Sequence, residues 1–214
     1  MNKKTKRKVT KNKKQEKISI DEHNSSVWPF ELDTLQTWAY WDAAFTPEEC
    51  KKIIEIGNKK KLKQGTIMKG NTSSSVRDSK IAWLNPVDEL HWVYQRISQI
   101  IYDLNKRFFN FELYGFIERF QFTHYKEPDG KYKKHVDRGL DCFIRKLSLS
   151  IQLSDPSSYE GGDLVLHNED TPTIIPKEQG KLIAFPSYVM HEVKPVTKGE
   201  RYSLVAWITG PSFK

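Results

Sequence analysis

Leu147-Ser148-Leu149-Ser150-Ile151-Gln152-Leu153 is the stretch that decides the fold of this chain of 214 residues. Apolar and polar side chains alternate along it, and successive side chains of a β-strand point to opposite faces of a sheet. The stretch therefore predicts a strand with one apolar and one polar face. Turn-separated strands are predicted around it, at Gly115–Tyr125, Asp163–His167, Lys181–Phe185, Met190–Val196 and Arg201–Thr209.

The first half of the chain has a helical period instead. Thr46-Pro47-Glu48-Glu49 forms a capping box with proline at the first helical position, which predicts a helix that ends near Lys60. An apolar stripe predicts a second helix over Val87–Phe109. We expect an edge strand near Thr37–Trp41. Gln64–Asp78 is rich in Gly, Ser, Thr and Asn and is expected to be a mobile loop.

Helices followed by many short strands indicate an α+β chain whose strands form a sandwich or barrel, and a jelly-roll is one such closure. The length fits one domain, so we expect a single domain over residues 18–214. Its helical support is expected at about 46–109 and its jelly-roll core at about 115–211. No run of eighteen apolar residues occurs, so no membrane partner is expected.

The excess of positive charge lies in a tail. Residues 1–17 hold nine Lys/Arg and one acid, which leaves 26 basic and 26 acidic residues in the remainder of a chain of net charge +8. Such a segment cannot bury apolar surface and is expected to be disordered. It could contact nucleic acid, ribosomes or an acidic partner through weak electrostatics, or be a solubilising leader. Outside the tail, no basic patch with interleaved aromatic residues predicts specific nucleic-acid binding.

The expected location is cytoplasmic. The N-terminus has no apolar segment of the secretory type. The two cysteines, Cys50 and Cys142, have no partner at metal-ligand spacing. Reduced thiols in a cytosolic compartment are the simplest account of them.

His135-Val136-Asp137, followed by His191, is the candidate metal-binding pattern. His135 and Asp137 point to the same side if Lys133–Arg138 is extended. Neutral imidazole suits iron, zinc or copper, and one carboxylate favours Fe(II). Three protein ligands leave positions open for substrate chemistry. Arg201 follows ten residues after His191, where it could hold an acidic cosubstrate. The other histidines are interpreted as structural or exposed, the last two as candidate pocket-edge groups: His23, His91, His124 and His167.

Five motifs follow one another in the C-terminal half: Tyr132–Asp137 (YKKHVD), Arg145–Ser148 (RKLS), Tyr159–Leu164 (YEGGDL), Phe185–Ser187 (FPS) and His191–Arg201 (HEVKPVTKGER). In this order they resemble the Fe(II)/2-oxoglutarate-dependent dioxygenases of the prolyl 4-hydroxylase type, especially the bacterial and phage-like hydroxylase branch. The resemblance implies a double-stranded β-helix (jelly-roll) supported by N-terminal helices, and an oxidoreductase that uses Fe(II), 2-oxoglutarate and O2. Dependence on L-ascorbate (vitamin C) is a further expectation of the family.

Carried over residue by residue, the resemblance implies that His135, Asp137 and His191 bind the iron. It implies that Arg201 pairs with the distal carboxylate of 2-oxoglutarate, which a planar guanidinium can bind through two parallel hydrogen bonds. The animal collagen-modifying members of the family carry lysine where Arg201 stands, which weakens any inference to a collagen substrate.

Two further residues, Tyr125 and Trp207, have two interpretations each, and a third, Ser203, is a candidate supporting residue. Tyr125 matches a tyrosine that reaches the cosubstrate in related enzymes, and core packing is the alternative. Trp207 matches an aromatic residue near the pocket, again with core packing as the alternative. Ser203 lies two residues beyond Arg201 on the same strand face and is a candidate support for the same carboxylate.

The implied activity is hydroxylation of an unactivated C–H bond, first of all in a prolyl or similar residue of a protein or peptide. Two alternatives stay open, namely a free amino acid or other small metabolite as substrate, and a metal- or ligand-binding barrel without catalysis. Gln64–Asp78 and the predicted turn Lys126–Lys131 are candidate lids over the site.

Overall fold

The computed structural model describes residues 36–67, 72–87, 89–139, 142–168 and 170–212. The predicted basic tail at residues 1–17, the start of the predicted domain at residue 18, and His23 lie outside the described residues. No helix in the described part is long and apolar enough to cross a membrane.

The described residues of the N-terminal part form two helices and four short strands. Thr46 caps the first helix, because its hydroxyl accepts from the Glu49 backbone while the Glu49 carboxylate accepts from the Thr46 backbone, which confirms the predicted capping box. The elements are β1 (Ala39–Trp41), α1 (Pro47–Asn58), β2 (Lys63–Gln64), β3 (Arg77–Asp78), β4 (Lys80–Leu84) and α2 (His91–Leu104), which continues into a π-helical turn at Asn105–Phe109.

Two predictions for this part are corrected. The second helix begins at His91, four residues later than predicted, because Val87 and Leu90 form a turn that precedes it. Gln64–Asp78 is not a loop throughout, since Gln64 pairs in β2 and Arg77–Asp78 pair as β3. The sequence signal failed there because two-residue strands have no period to detect.

The C-terminal part consists of strands with one short 3₁₀ turn at Pro156–Ser158. The strands are β5 (Phe120–Lys126), β6 (Gly130–His135), β7 (Arg145–Gln152), β8 (Tyr159–Gly161), β9 (Leu164–His167), β10 (Thr173–Ile174), β11 (Leu182–Pro186) and β12 (Met190–Thr209). The strands predicted at Met190–Val196 and Arg201–Thr209 are therefore one strand, in which Gly199 has a φ of 74°. The strand predicted from Gly115 begins only at Phe120.

Two antiparallel sheets share β12. Its second half lies between β5 and β7 in a major sheet of order β1-β11-β7-β12-β5-β4-β2. Its first half pairs with β6, β8 and β9 in a minor sheet, to which β3 and β10 add. This arrangement confirms the predicted α+β fold with a double-stranded β-helix core, and it confirms β1 as an edge strand.

The two faces of β7 have different neighbours. Leu147, Leu149 and Ile151 belong to the large apolar cluster that also contains the buried residues of α1 and α2. The polar residues Ser148 and Gln152 on the opposite face are buried as well. The alternation read from the sequence therefore marks a strand covered on both faces, with a polar interior on one side.

At Gly57, α1 lies close against the major sheet. A Cβ at this position would lie 2.6 Å from the ring of Phe122, which is fully buried and stacked on Tyr202. That ring cannot move aside without displacing its own neighbours.

We expect Gly57→Ala to destabilise the protein. Alanine improves helix propensity by roughly 1 kcal/mol, but overpacking a filled core costs about 1–3 kcal/mol. The free energy of unfolding in urea measures the net effect. Gly139→Ala is the control, because nothing lies within 4 Å of a Cβ there. A Gly57→Ala variant as stable as the wild type would contradict the close packing.

Candidate metal centre

The three predicted metal ligands lie together in the minor sheet, where the end of β6 pairs with the beginning of β12. His135 ends β6 and is directly opposite His191 in the register with β12. The ligand atoms of His135, Asp137 and His191 all lie within 4.8 Å of one another. Asp137 Oδ1 is 3.7 Å from His135 Nε2, and Asp137 Oδ2 is 3.5 Å from His191 Nε2. One ion could therefore contact all three side chains.

Asp137 reaches the site by a different local route from the one expected. The strand ends at His135, so Lys133–Arg138 is not extended throughout. Instead the Asp137 backbone N–H donates to the Ser187 carbonyl at 3.1 Å. This bond turns the chain after the strand and directs the carboxylate back towards the two rings.

Both imidazoles have their outer nitrogen engaged. His135 Nδ1 lies 2.8 Å from the Lys133 carbonyl, and His191 Nδ1 lies 3.0 Å from the Val189 carbonyl. A carbonyl only accepts, so each Nδ1 carries the hydrogen and donates it. Each Nε2 then keeps its lone pair towards the centre, which is the tautomer that a metal ligand requires.

The charge states also suit a cation. Burial, and then the neighbouring charge of His191, lowers the pKa of His135 to about 3, so this ring is neutral at pH 7. Burial alone would raise the pKa of Asp137, but the histidines and a hydrogen bond from Ser148 outweigh it and lower the pKa to about 2. The donor set at neutral pH thus includes a carboxylate and a neutral imidazole, which are ligands for a divalent metal.

Ser148 holds the carboxylate in place, and the sequence analysis did not identify it. Its hydroxyl donates to Asp137 Oδ2 at 2.7 Å, and its Oγ also lies 3.0 Å from Ser187 Oγ. The polar face of β7 was the available signal. In the described part of the chain no fourth His, Cys, Asp or Glu joins the cluster, so the donor set fits an open site of three ligands.

Arg201 lies in the same cavity, and this buried cation has no counterion among the residues that the structure describes. Its side chain is 1% exposed. One terminal nitrogen donates to Gln152 Oε1 at 2.9 Å, while Nε and the other terminal nitrogen have no partner among the described residues. A buried unpaired charge is costly in free energy. The unpaired N–H groups therefore indicate a binding site for an anion, with Gln152 as an orienting residue that the sequence analysis missed.

Tyr125 and Ser203 flank this arginine, Tyr125 from the neighbouring strand β5 and Ser203 from β12 itself. Tyr125 is directly opposite Arg201 in the register of β5 and β12, and its ring lies 5.4 Å from the guanidinium carbon. Ser203 is buried two residues further along β12. Both line the cavity. Tyr125 also packs in an apolar cluster between the sheets, so both of its interpretations agree with its surroundings.

The cavity has a volume of about 920 Å³ and is lined by both sheets. Trp83 and Trp207 stand in its wall with ring centroids 6.2 Å apart. Arg145 lies over the Trp207 ring at 3.9 Å and donates twice to the Glu118 carboxylate, at 2.6 and 2.5 Å. Trp207 is therefore a cavity residue, and the Arg145–Glu118 pair is a further feature that sequence analysis did not find.

Other expected site elements lie elsewhere. His124 and His167 do not line the cavity, since they contact Glu200 and Glu192 instead. No residue of the Lys126–Lys131 turn lines it, which does not favour that turn as a lid. Both cysteines are free thiols, as expected.

Comparisons with known sequences agree with this geometry. The profile of the 2OG-Fe(II) oxygenase superfamily matches residues 120–209. A PKHD-type hydroxylase of Maricaulis maris is 40% identical over 78 residues, which are 36% of each chain. A PKHD-type hydroxylase of Crocosphaera subtropica is 25% identical over 174 residues, 78% of this chain and 76% of the relative. The chain thus matches little more than a third of the first relative and about three quarters of the second.

Solved structures agree on the fold. A prolyl-4-hydroxylase of Pseudomonas putida superposes with a TM-score of 0.66 at 20% identity and covers 82% of this chain and 94% of its own. A prolyl hydroxylase of Trichoplax adhaerens, solved with a peptide fragment of the hypoxia inducible factor oxygen degradation domain, gives a TM-score of 0.69 at 19% identity and covers 81% and 83%. Residues 120–209 thus match the 2OG-Fe(II) oxygenase superfamily, and the fold of the chain is similar to that of the solved prolyl hydroxylases.

Proposed function

We propose that this chain is an Fe(II)/2-oxoglutarate-dependent dioxygenase that hydroxylates an unactivated C–H bond. His135, Asp137 and His191 would hold the iron, and Arg201 would bind the distal carboxylate of 2-oxoglutarate. The observation that carries the proposal is the unpaired buried guanidinium of Arg201 in the same cavity as the triad. A structural metal site would have no need of such an anion-binding group.

The family implies Fe(II), 2-oxoglutarate and O2. When bound, iron and 2-oxoglutarate supply the activation of O2, so that one oxygen atom enters the substrate C–H bond and the other enters succinate as CO2 is lost. The protein supplies binding and orientation. Gln152 fixes the Arg201 guanidinium before any ligand arrives, and Ser148 fixes the Asp137 carboxylate. Tyr125 and Ser203 would add contacts to the same carboxylate.

Exclusion of water follows from the apolar part of the cavity wall. Leu164, Phe185 and Val193 line the cavity together with the polar groups, and all three are buried. Low water content strengthens the hydrogen bonds of Arg201 and limits side reactions of the activated oxygen. The barrel is thus suited to catalysis, which disfavours the alternative of a binding barrel without activity.

A prolyl or similar residue of a protein or peptide is the proposed substrate. Support comes from the fold shared with prolyl hydroxylases, one of which was solved with a peptide. The two tryptophans in the cavity wall, Trp83 and Trp207, offer flat apolar surfaces suited to a pyrrolidine ring. A free amino acid is the second candidate, and a further buried arginine in the cavity, Arg77, favours it.

Loss of one candidate ligand should abolish the activity. We expect His135→Ala and Asp137→Ala to reduce Fe(II)-dependent formation of succinate from 2-oxoglutarate to background, because the described residues offer no replacement ligand. Titration with Mn(II) should show weakened metal binding in both variants. His91→Ala, which alters an exposed histidine at the start of α2, should behave as the wild type. Full activity in either triad variant would refute the assignment.

Substitution of the buried Arg201 should weaken the binding of 2-oxoglutarate and remove the thermal stabilisation that this cosubstrate provides. We expect Arg201→Gln to raise the Kd of 2-oxoglutarate about 10- to 100-fold, the equivalent of a charged hydrogen bond. The rise in Tm that 2-oxoglutarate gives the metal-loaded wild type should be lost. Arg107→Gln, at an exposed arginine in the π-helical turn, is the control. The assignment fails if 2-oxoglutarate shifts the Tm of Arg201→Gln as much as that of the wild type.

Ser148→Ala should weaken metal binding without removing a ligand. Loss of an orienting hydrogen bond to a metal ligand typically costs about 10- to 100-fold in affinity, and we expect a decrease of this size in the affinity for Mn(II). Ser150→Ala, at the next inward position of β7, is the matched control. Equal affinities in the two variants would show that Ser148 has no positioning role.

A further inference from the structure

Among the described residues that line the cavity, the charged side chains do not balance one another. They are three arginines and two carboxylates, namely Arg77, Arg145, Arg201, Glu118 and Asp137. On the proposed function, a divalent iron adds two positive charges and 2-oxoglutarate adds two negative ones. The loaded cavity therefore keeps one positive charge in excess, and a buried charge without a counterion is costly.

Two of the three arginines are accounted for. Arg145 forms a double hydrogen bond with the Glu118 carboxylate, so this pair is neutral. Arg201 is the proposed partner of 2-oxoglutarate. Asp137 belongs to the metal centre. The excess charge therefore falls on Arg77.

Arg77 is buried, with 6% exposure, and has only neutral partners. Its Nε donates to Ser79 Oγ at 2.9 Å, and its terminal nitrogens donate to the Thr66 carbonyl at 2.9 Å and to Gln121 Oε1 at 2.7 Å. Among the described residues, no carboxylate lies within 4.0 Å of it. A guanidinium has five N–H donors, so these three bonds leave donors for a ligand.

Arg77 lies close to the triad, beside Tyr132. Its guanidinium lies 4.5 Å above the Tyr132 ring, which stacks on His135 at 3.5 Å. Its partner Gln121 is four residues along β5 from Tyr125, which faces Arg201. Four residues of strand span roughly 13 Å, whereas the carbon chain of 2-oxoglutarate spans only about 5 Å. These two strand positions therefore lie farther apart than one cosubstrate molecule is long.

We propose that Arg77 binds a carboxylate of the substrate that is to be hydroxylated. The inference rests on the proposed function and narrows its substrate class. The carboxylate has two sources, the free carboxyl group of an amino acid or peptide terminus, and the side chain of an Asp or Glu beside the target residue. Either carboxylate would give the Arg77 guanidinium a counterion.

The test measures binding in the absence of turnover. The full chain is loaded with Fe(II) and saturating 2-oxoglutarate under nitrogen, and ligand-observed NMR compares matched acids and amides. One arm contains the free amino acids and their amides. The other contains capped dipeptides of the form Xaa-Asp against Xaa-Asn and Xaa-Glu against Xaa-Gln. We expect at least one acid to bind about tenfold or more tightly than its amide, as a charged hydrogen bond predicts, and the arm shows the source.

Gln121→Glu is the decisive variant because it leaves Arg77 in place. It sets a carboxylate of the same shape where the amide oxygen now lies 2.7 Å from the guanidinium nitrogen. The internal ion pair should abolish the preference for acids and leave the affinity for 2-oxoglutarate unchanged. Arg77→Gln should abolish the preference too, whereas Arg107→Gln, with the same change in net charge at an exposed site, should keep it.

The proposal is overturned if no acid binds better than its amide in either arm, or if Gln121→Glu keeps the preference. It is also overturned if Gln121→Glu weakens 2-oxoglutarate binding instead, since Arg77 would then serve the cosubstrate. Failure of the proposed function would look different, because the wild type would not bind 2-oxoglutarate at all. In that case the binding of the acids and of their amides can be compared on metal-free protein. Gln121→Glu still forms its ion pair with Arg77 there and should still abolish the preference for acids.

Discussion

The register of β12 against its neighbours in both sheets fixes the relation between the metal centre and the anion-binding arginine. Pairing with β6 sets His191 opposite His135, and pairing with β5 sets Arg201 opposite Tyr125. Ten residues of one strand, rather than a loop, separate His191 from Arg201. A slip by one residue would turn every side chain of the strand to the other face. Metal binding and cosubstrate binding therefore depend on the same backbone hydrogen bonds.

A barrel with so polar an interior needs a hydrophobic core elsewhere. The apolar faces of α1 and α2 belong to one cluster with the outward residues of β7, such as Leu147 and Leu149. Burial of apolar surface there stabilises the fold and offsets the cost of keeping Ser148, Gln152 and Arg201 buried on the inward side. The helices thus do more than support the sheet, because they leave its inner face available for polar groups that bind ligands.

The sequence predicted those elements and residues that have a periodic pattern or belong to a family motif. Alternation located β7, and the capping box located the start of α1. The resemblance identified the residues that the structure gathers around one point. Arg77 escaped notice because its stretch is rich in Gly and Ser and its strand has two residues, too few for a pattern. Ser148 and Gln152 were visible as a polar face, but only the closed sheet shows that this face is interior. The pairing of Glu118 with Arg145 joins two residues that are 27 positions apart in the chain, and no local pattern encodes such a contact.

Arg77 and Arg145 show how a partner, rather than a residue type, decides what a buried guanidinium does. Glu118 neutralises Arg145, so that this arginine lies flat on Trp207 and shapes the wall without attracting an anion. The partners of Arg77 are two neutral oxygens of side chains and one carbonyl, which orient the group but leave its charge uncompensated. An uncompensated cation contributes little to stability in the empty cavity. Its electrostatic energy becomes favourable only when an anion binds. Such a cation therefore contributes to the selection of anionic over neutral ligands.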